Sequence, residues 1–109
     1  MVVAKTELFE KELRDSAGIF RALGHPARLQ ILRYLAVTKT CITGDISDEL
    51  PLGRTTVNQH LKELKKSGLI IGTVSGKKRN YCLNTEKIKA LKNMTSGFIS
   101  EIESKINCC

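Results

Sequence analysis

Apolar residues along this chain follow a helical period almost throughout and shift to a strand-like pattern only near Leu69. The spacing predicts a first helix over about Glu7–Leu23, with Phe9, Leu13, Ala17 and Phe20 on one side. Gly24-His25-Pro26 breaks it. Pro26 suits the first turn of a second helix, which runs to about Val37 and turns Leu29, Leu32 and Leu35 inward. Thr38 to Ile42 reads as a connector. Thr43 can cap a short third helix ending near Leu50, and Pro51-Leu52-Gly53 forms a turn. A fourth helix follows over about Arg54–Lys66. Its Val57, Leu61 and Leu64 recur at i, i+4 and i+7 and so share one face. Lys66-Ser67-Gly68 is a helix stop. Strands over about Leu69–Ser75 and Asn80–Asn84 flank a polar tip, Gly76-Lys77-Lys78-Arg79-Asn80. A last helix over about Thr85–Ile106 carries an apolar stripe of Ile88, Leu91, Met94 or Thr95, Phe98, Ile102 and Ile106. The expected architecture is mainly α with a small β-hairpin: a winged helix-turn-helix of five helices and a two-stranded wing. At 109 residues the chain is expected to be a single domain, 1–109.

The polar face of the fourth helix carries the first functional expectation. Arg54, Thr55, Asn58, Gln59 and Lys62 lie away from its apolar stripe. Such side chains hydrogen-bond base edges and phosphates, and a helix of this width fits the DNA major groove. Thr56, Asn58, Gln59 and His60 are expected over base edges and phosphates. Arg54 and Lys62 are expected on the backbone or a guanine, and Lys77, Lys78 and Arg79 of the wing on phosphates or in the minor groove. Charge supports this placement. Residues 1–53 hold seven basic and seven acidic side chains, whereas residues 54–92 hold ten basic and two acidic, so the formal +7 is concentrated on the fourth helix, the wing and the start of the last helix. A localised basic surface attracts polyanions and releases their counterions.

Two segments resemble a known family. The run from Phe20 through Gly24-His25-Pro26-Ala27-Arg28-Leu29 to Leu35 is similar to a signature of the ArsR/SmtB transcriptional repressors. So is Leu52-Gly53-Arg54-Thr55-Thr56-Val57-Asn58-Gln59-His60-Leu61-Lys62-Glu63-Leu64, followed by Ser67-Gly68-Leu69-Ile70. The resemblance covers about residues 8–84. It implies a winged-helix homodimer that binds an inverted repeat in double-stranded operator DNA and releases it on binding an inducer, usually a metal or metalloid ion. It also implies that the first and last helices form the dimer interface. The stripe Leu91, Phe98, Ile102 and Ile106, together with Phe9 and Leu13, is the expected contact. Gly53 departs from the family, which usually has Ser there; glycine caps a helix less well.

Inducer chemistry is expected at cysteine. Family zinc sites use His and carboxylate ligands on the last helix, and here that helix contains no His. His25 lies in the family fold signature and His60 in the fourth helix, so neither is assigned to a metal. Cys41, in Thr40-Cys41-Ile42-Thr43-Gly44-Asp45-Ile46, falls where arsenic-responsive members carry Cys-Val-Cys-Asp-Leu-Cys, and only Cys41 remains of those thiols. Cys108-Cys109 end the sequence. Three thiolates suit As(III) or Sb(III), since soft metalloids prefer sulfur, and Cys41, Cys108 and Cys109 supply three. Some arsenic repressors similarly combine a vicinal pair from an interface helix with a distant cysteine. Cys82 alternates with Tyr81 and Leu83 in a strand and is expected to be a small buried hydrophobe. Response to Zn(II), Cd(II) or thiol oxidation is the alternative.

Other classes fit less well. There is no glycine-rich phosphate loop, no paired carboxylates in an apolar setting and no Cys/His or Ser/His arrangement, so neither an enzyme nor an organic cofactor is expected. A winged-helix adaptor that binds protein is the remaining alternative. No run of about 18 apolar residues would span a membrane, and Met1–Glu7 lacks a signal peptide's order. A cytoplasmic location with reduced cysteines is therefore expected.

Overall fold

A short three-stranded antiparallel sheet closes one end of a helical core, in the order β1-β3-β2. The computed structural model describes residues 5–38, 41–43, 46–74 and 80–106. Four α-helices are present among them: α1 (Lys11–Leu23), α2 (Pro26–Val37), α3 (Arg54–Lys66) and α4 (Thr85–Lys105). The strands are β1 (Cys41–Thr43), β2 (Ile70–Thr73) and β3 (Asn80–Leu83).

This differs from the expected five helices and two-stranded wing in two places. The short third helix is a single 3-10 turn, Ser47–Glu49, and Thr43 lies in β1 rather than at a cap. Leu50 is extended, with φ −130° and ψ 145°, because Pro51 disfavours helical backbone in the residue before it. The supposed connector also contributes Cys41 and Ile42 to β1, which pairs Cys41, Ile42 and Thr43 with Cys82, Tyr81 and Asn80 of β3. The first helix likewise divides into a 3-10 turn, Lys5–Leu8, and α1.

The core gathers Ile31 and Leu35 of α2, Ile46 and Leu50 around the 3-10 turn, and Val57, Leu61 and Leu64 of α3. Leu69, Ile70 and Tyr81 join them from the sheet, all buried. Local signals set the ends of α3. At its C-terminus Gly68 adopts φ 85°, which lets the Leu69 N–H donate to Leu64 O at 3.0 Å and the Gly68 N–H to Lys65 O at 3.0 Å. That pair of bonds satisfies carbonyls the helix leaves open and drives Leu69 into the core. Gly72 adopts φ 110°, and a Cβ there would collide with Asn80 O of the paired strand, so only glycine fits this approach of β2 to β3. Asn84 then starts α4: its Oδ1 accepts from the Lys87 N–H at 3.3 Å, and its Nδ2 donates to Gly68 O at 3.0 Å. The wing and both its flanking helices are thereby fixed at one corner.

Candidate nucleic-acid interface

The helix α3 packs one side on α2 and turns the other outward. Val57, Leu61 and Leu64 are buried. Arg54, Thr55, Thr56, Gln59 and Lys62 are exposed, and Asn58 is half-buried. Thr55, Gln59 and Lys62 stand at i, i+4 and i+7, a single polar ridge facing away from the core. The helix begins at Gly53, which makes no side-chain cap. Its open N-terminal amides add a partial positive charge at the end where Arg54 sits, favourable to a phosphate. Lys77, Lys78 and Arg79 lie outside the described residues. The paired strands β2 and β3 that carry the segment between them are in place beside α3.

His60 departs from the sequence expectation. It is only 8% exposed and faces the core, so it does not belong to the reading face. Its position explains this, because it lies three residues after Val57 and four before Leu64, on the apolar side. That spacing was visible in the sequence, and the polarity of histidine concealed it. The His60 Nδ1 accepts from Arg28 Nε at 3.1 Å, and its ring stacks at a tilt against His25 with centroids 4.2 Å apart. Arg28 also donates from Nη1 to Arg21 O and Ala22 O, each at 3.2 Å. The His25 Nδ1 accepts from the Ala27 N–H at 3.0 Å and so caps α2. One arginine and two histidines thus tie α1, α2 and α3 together and fix the angle at which α3 is presented.

Burial, then the neighbouring His25 and the Arg28 guanidinium, push His60 below the usual 6.5. The folded state therefore resists a proton that the unfolded chain accepts. The stability from neutral His60 is full above pH 6.5 and is lost as pH falls below it. Thermal melts from about pH 7.5 down to about pH 5.5 should show the parent losing more stability than His60→Gln, whose carbonyl can still accept from Arg28. Parallel losses would remove His60 as the titrating group.

The faces expected to meet a second copy are exposed. No residue of α4 is buried, and Phe9 is 59% and Phe98 38% exposed, with Leu13, Ile102 and Ile106 also open. Phe98 meets Phe20 of α1 at a centroid distance of 6.1 Å, which joins α1 and α4 into one apolar surface. Leu91 instead packs half-buried against the chain's own core.

The cysteines divide differently from expectation. Cys82 is disulfide-bonded and half-buried, so it is not the free, buried hydrophobe that its place in a strand suggested. Cys41 lies in β1 directly opposite Cys82. Cys108 and Cys109 lie outside the described residues. Among the described residues no group of three or more His, Cys, Asp or Glu is placed to hold a metal, and no helix is long and apolar enough to cross a membrane.

A helix-turn-helix domain family matches residues 23–73, from the end of α1 through β2. An uncharacterized HTH-type transcriptional regulator of Methanocaldococcus jannaschii is 34% identical over 85 residues, which span 78% of this chain and 91% of that protein. The HTH-type transcriptional repressor SmtB of Mycobacterium tuberculosis is 36% identical over 67% of this chain and 54% of its own length. The chain belongs to the SmtB/ArsR family of helix-turn-helix transcriptional regulators. A cadmium resistance transcriptional regulatory protein CadC homolog of Staphylococcus aureus is 28% identical over 81% of this chain and 73% of that protein. These relatives of the regulator act in transcription rather than catalysis. The matched domain contains α3 with its outward ridge, and a helix-turn-helix regulator family implies DNA binding.

Proposed function

We propose that this regulator is a cytoplasmic homodimeric repressor that holds an inverted repeat in operator DNA and releases it when As(III) or Sb(III) is ligated by Cys41, Cys108 and Cys109. The observation that carries the DNA half is the ridge Thr55, Gln59 and Lys62, exposed on a helix whose opposite face is locked into the core. The exposed apolar surface of α1 and α4 supports the dimer. Two copies related by a two-fold axis would present two α3 helices about one turn of DNA apart.

The inducer half rests on donor chemistry. Three sulfurs satisfy a trigonal metalloid and leave tetrahedral Zn(II) one ligand short. The helix α4 offers carboxylates at Glu86, Glu101 and Glu103 but no imidazole, so a His-carboxylate zinc site does not fit it. Cadmium is the second reading, favoured by similarity to the cadmium resistance regulator; it too is thiophilic. Ligation and DNA binding favour different dimer geometries in this reading, so each weakens the other by about 1–3 kcal/mol, or about 5- to 150-fold.

The test uses duplexes selected by the protein from a random pool, challenged with arsenite, antimonite, cadmium and zinc in turn. Arsenite should lower the parent's affinity about 5- to 150-fold. A chain ending at Asn107, which lacks Cys108 and Cys109, should bind the duplex like the parent and change less than about twofold with arsenite. Full release of that truncated chain by arsenite would exclude the three-thiolate site, and release by cadmium alone would transfer the assignment to the second reading.

A further inference from the structure

We propose that Cys41 and Cys82 form a reversible cross-strand disulfide whose closure removes a thiolate the inducer needs, leaving the DNA-reading helix free to bind. Cys82 is disulfide-bonded. It lies in β3, the central strand, between Cys41 of β1 and Ile71 of β2. Directly opposed residues in an antiparallel pair have Cα atoms about 4.5–5.5 Å apart, within the range of about 4.4–6.8 Å that a disulfide bridges. Ile71 carries no sulfur, so the register assigns Cys41 as the partner.

The oxidant class is a small hydroperoxide, which can reach the half-buried Cys82. One thiolate attacks the peroxide oxygen, giving a sulfenic acid and releasing water. The second thiolate attacks that sulfur and displaces a second water. Two thiols and one hydrogen peroxide become one disulfide and two waters, and a dithiol reverses the bond by exchange.

Two consequences follow from where the bond lies. The loop it closes, from residue 41 to residue 82, contains all of α3 and β2, so oxidation constrains the unfolded state of the segment that carries the DNA-reading helix. The bond also occupies Cys41. Thr55, Gln59 and Lys62 are exposed in the same structure in which Cys82 is bonded, so the oxidised regulator keeps its reading face while its metalloid site lacks one sulfur. Oxidation therefore holds the regulator on DNA and makes it unresponsive to arsenite. This second consequence rests on the three-thiolate reading above.

The full-length protein, treated with hydrogen peroxide and then alkylated, is digested without reduction and mapped by mass spectrometry. In parallel, arsenite release from a selected duplex is titrated before peroxide, after peroxide, and after dithiothreitol. The map should show a peptide pair joined through Cys41 and Cys82. Arsenite should lower the affinity of the reduced protein about 5-fold or more, change the oxidised protein less than about 2-fold, and act fully again after dithiothreitol. Cys82→Ser and Cys82→Ala, which leave all three inducer thiolates in place, should release alike before and after peroxide. A map joining Cys82 to another cysteine, or Cys82→Ser protein protected by peroxide as well as the parent, would overturn the inference. A mapped Cys41–Cys82 bond in a protein whose reduced form ignores arsenite would instead overturn the inducer reading and the response claim built on it, with the bond itself established.

Discussion

Phe98→Glu is expected to leave the protein monomeric at concentrations where the parent is a dimer, and to lower its affinity for an inverted repeat about a thousandfold or more, towards non-specific binding. The expectation starts from α4, a 21-residue helix with no buried residue. A helix whose apolar side chains stay open to water in one copy finds its packing on another surface. Phe98 stands at the middle of that surface, against Phe20 of α1, with Ile102 and Ile106 along the same helix and Phe9 and Leu13 on the neighbouring segment. A carboxylate placed there and buried twice across a two-fold axis has no partner and opposes its own copy. The fold should survive, because Phe98 is outside the buried core cluster. Far-ultraviolet circular dichroism checks this, and sedimentation reads the assembly. A Phe98→Glu protein that sediments as a dimer would refute the interface.

The second large effect is at the DNA-reading ridge. Gln59→Ala removes a side-chain amide whose bidentate pairing with a base is worth about 1–3 kcal/mol. A dimer gives up that pairing in both half-sites, so the total is about 2–6 kcal/mol for the best duplex. The loss should fall unevenly across sequences, flattening preference at one position of each half-site, since a glutamine amide pairs with an adenine edge. Lys62→Ala provides the contrast. If Lys62 meets a phosphate, its removal weakens all duplexes nearly alike and reduces the salt slope by about one. Fluorescence anisotropy across a panel of single-base variants separates the two patterns. Unchanged sequence preference in Gln59→Ala would move base readout to other residues.

The helices were legible in the sequence because their ends carry chemistry and their faces carry period. Pro26 at the first turn of α2 and Gly68 at the stop of α3 are such marks, and the observed bounds of α2, α3 and α4 agree closely with the expected ones. What the sequence concealed has a common physical form. Three-residue β1 is too short for alternation to show, and it exists because β3 offers it a paired edge; that pairing joins residues about 40 apart in the chain, which no local pattern records. Leu50 and Ile46 have helical spacing, yet Pro51 limits the segment to one 3-10 turn. At the site, Thr55, Gln59 and Lys62 were readable from periodicity, whereas His60 was assigned by residue type against its own spacing. The role of Cys82 depended on register, which places it opposite Cys41.

The most direct test of DNA reading by α3 is selection of bound duplexes from a random double-stranded pool by the purified full-length protein. The expected result is enrichment of an inverted repeat whose half-site centres are about one helical turn, or a multiple of it, apart, with a matched loss of preference in both half-sites for Gln59→Ala. A pool that stays random while the protein remains folded and dimeric, or enrichment identical for the parent and Gln59→Ala, would contradict DNA reading by this helix.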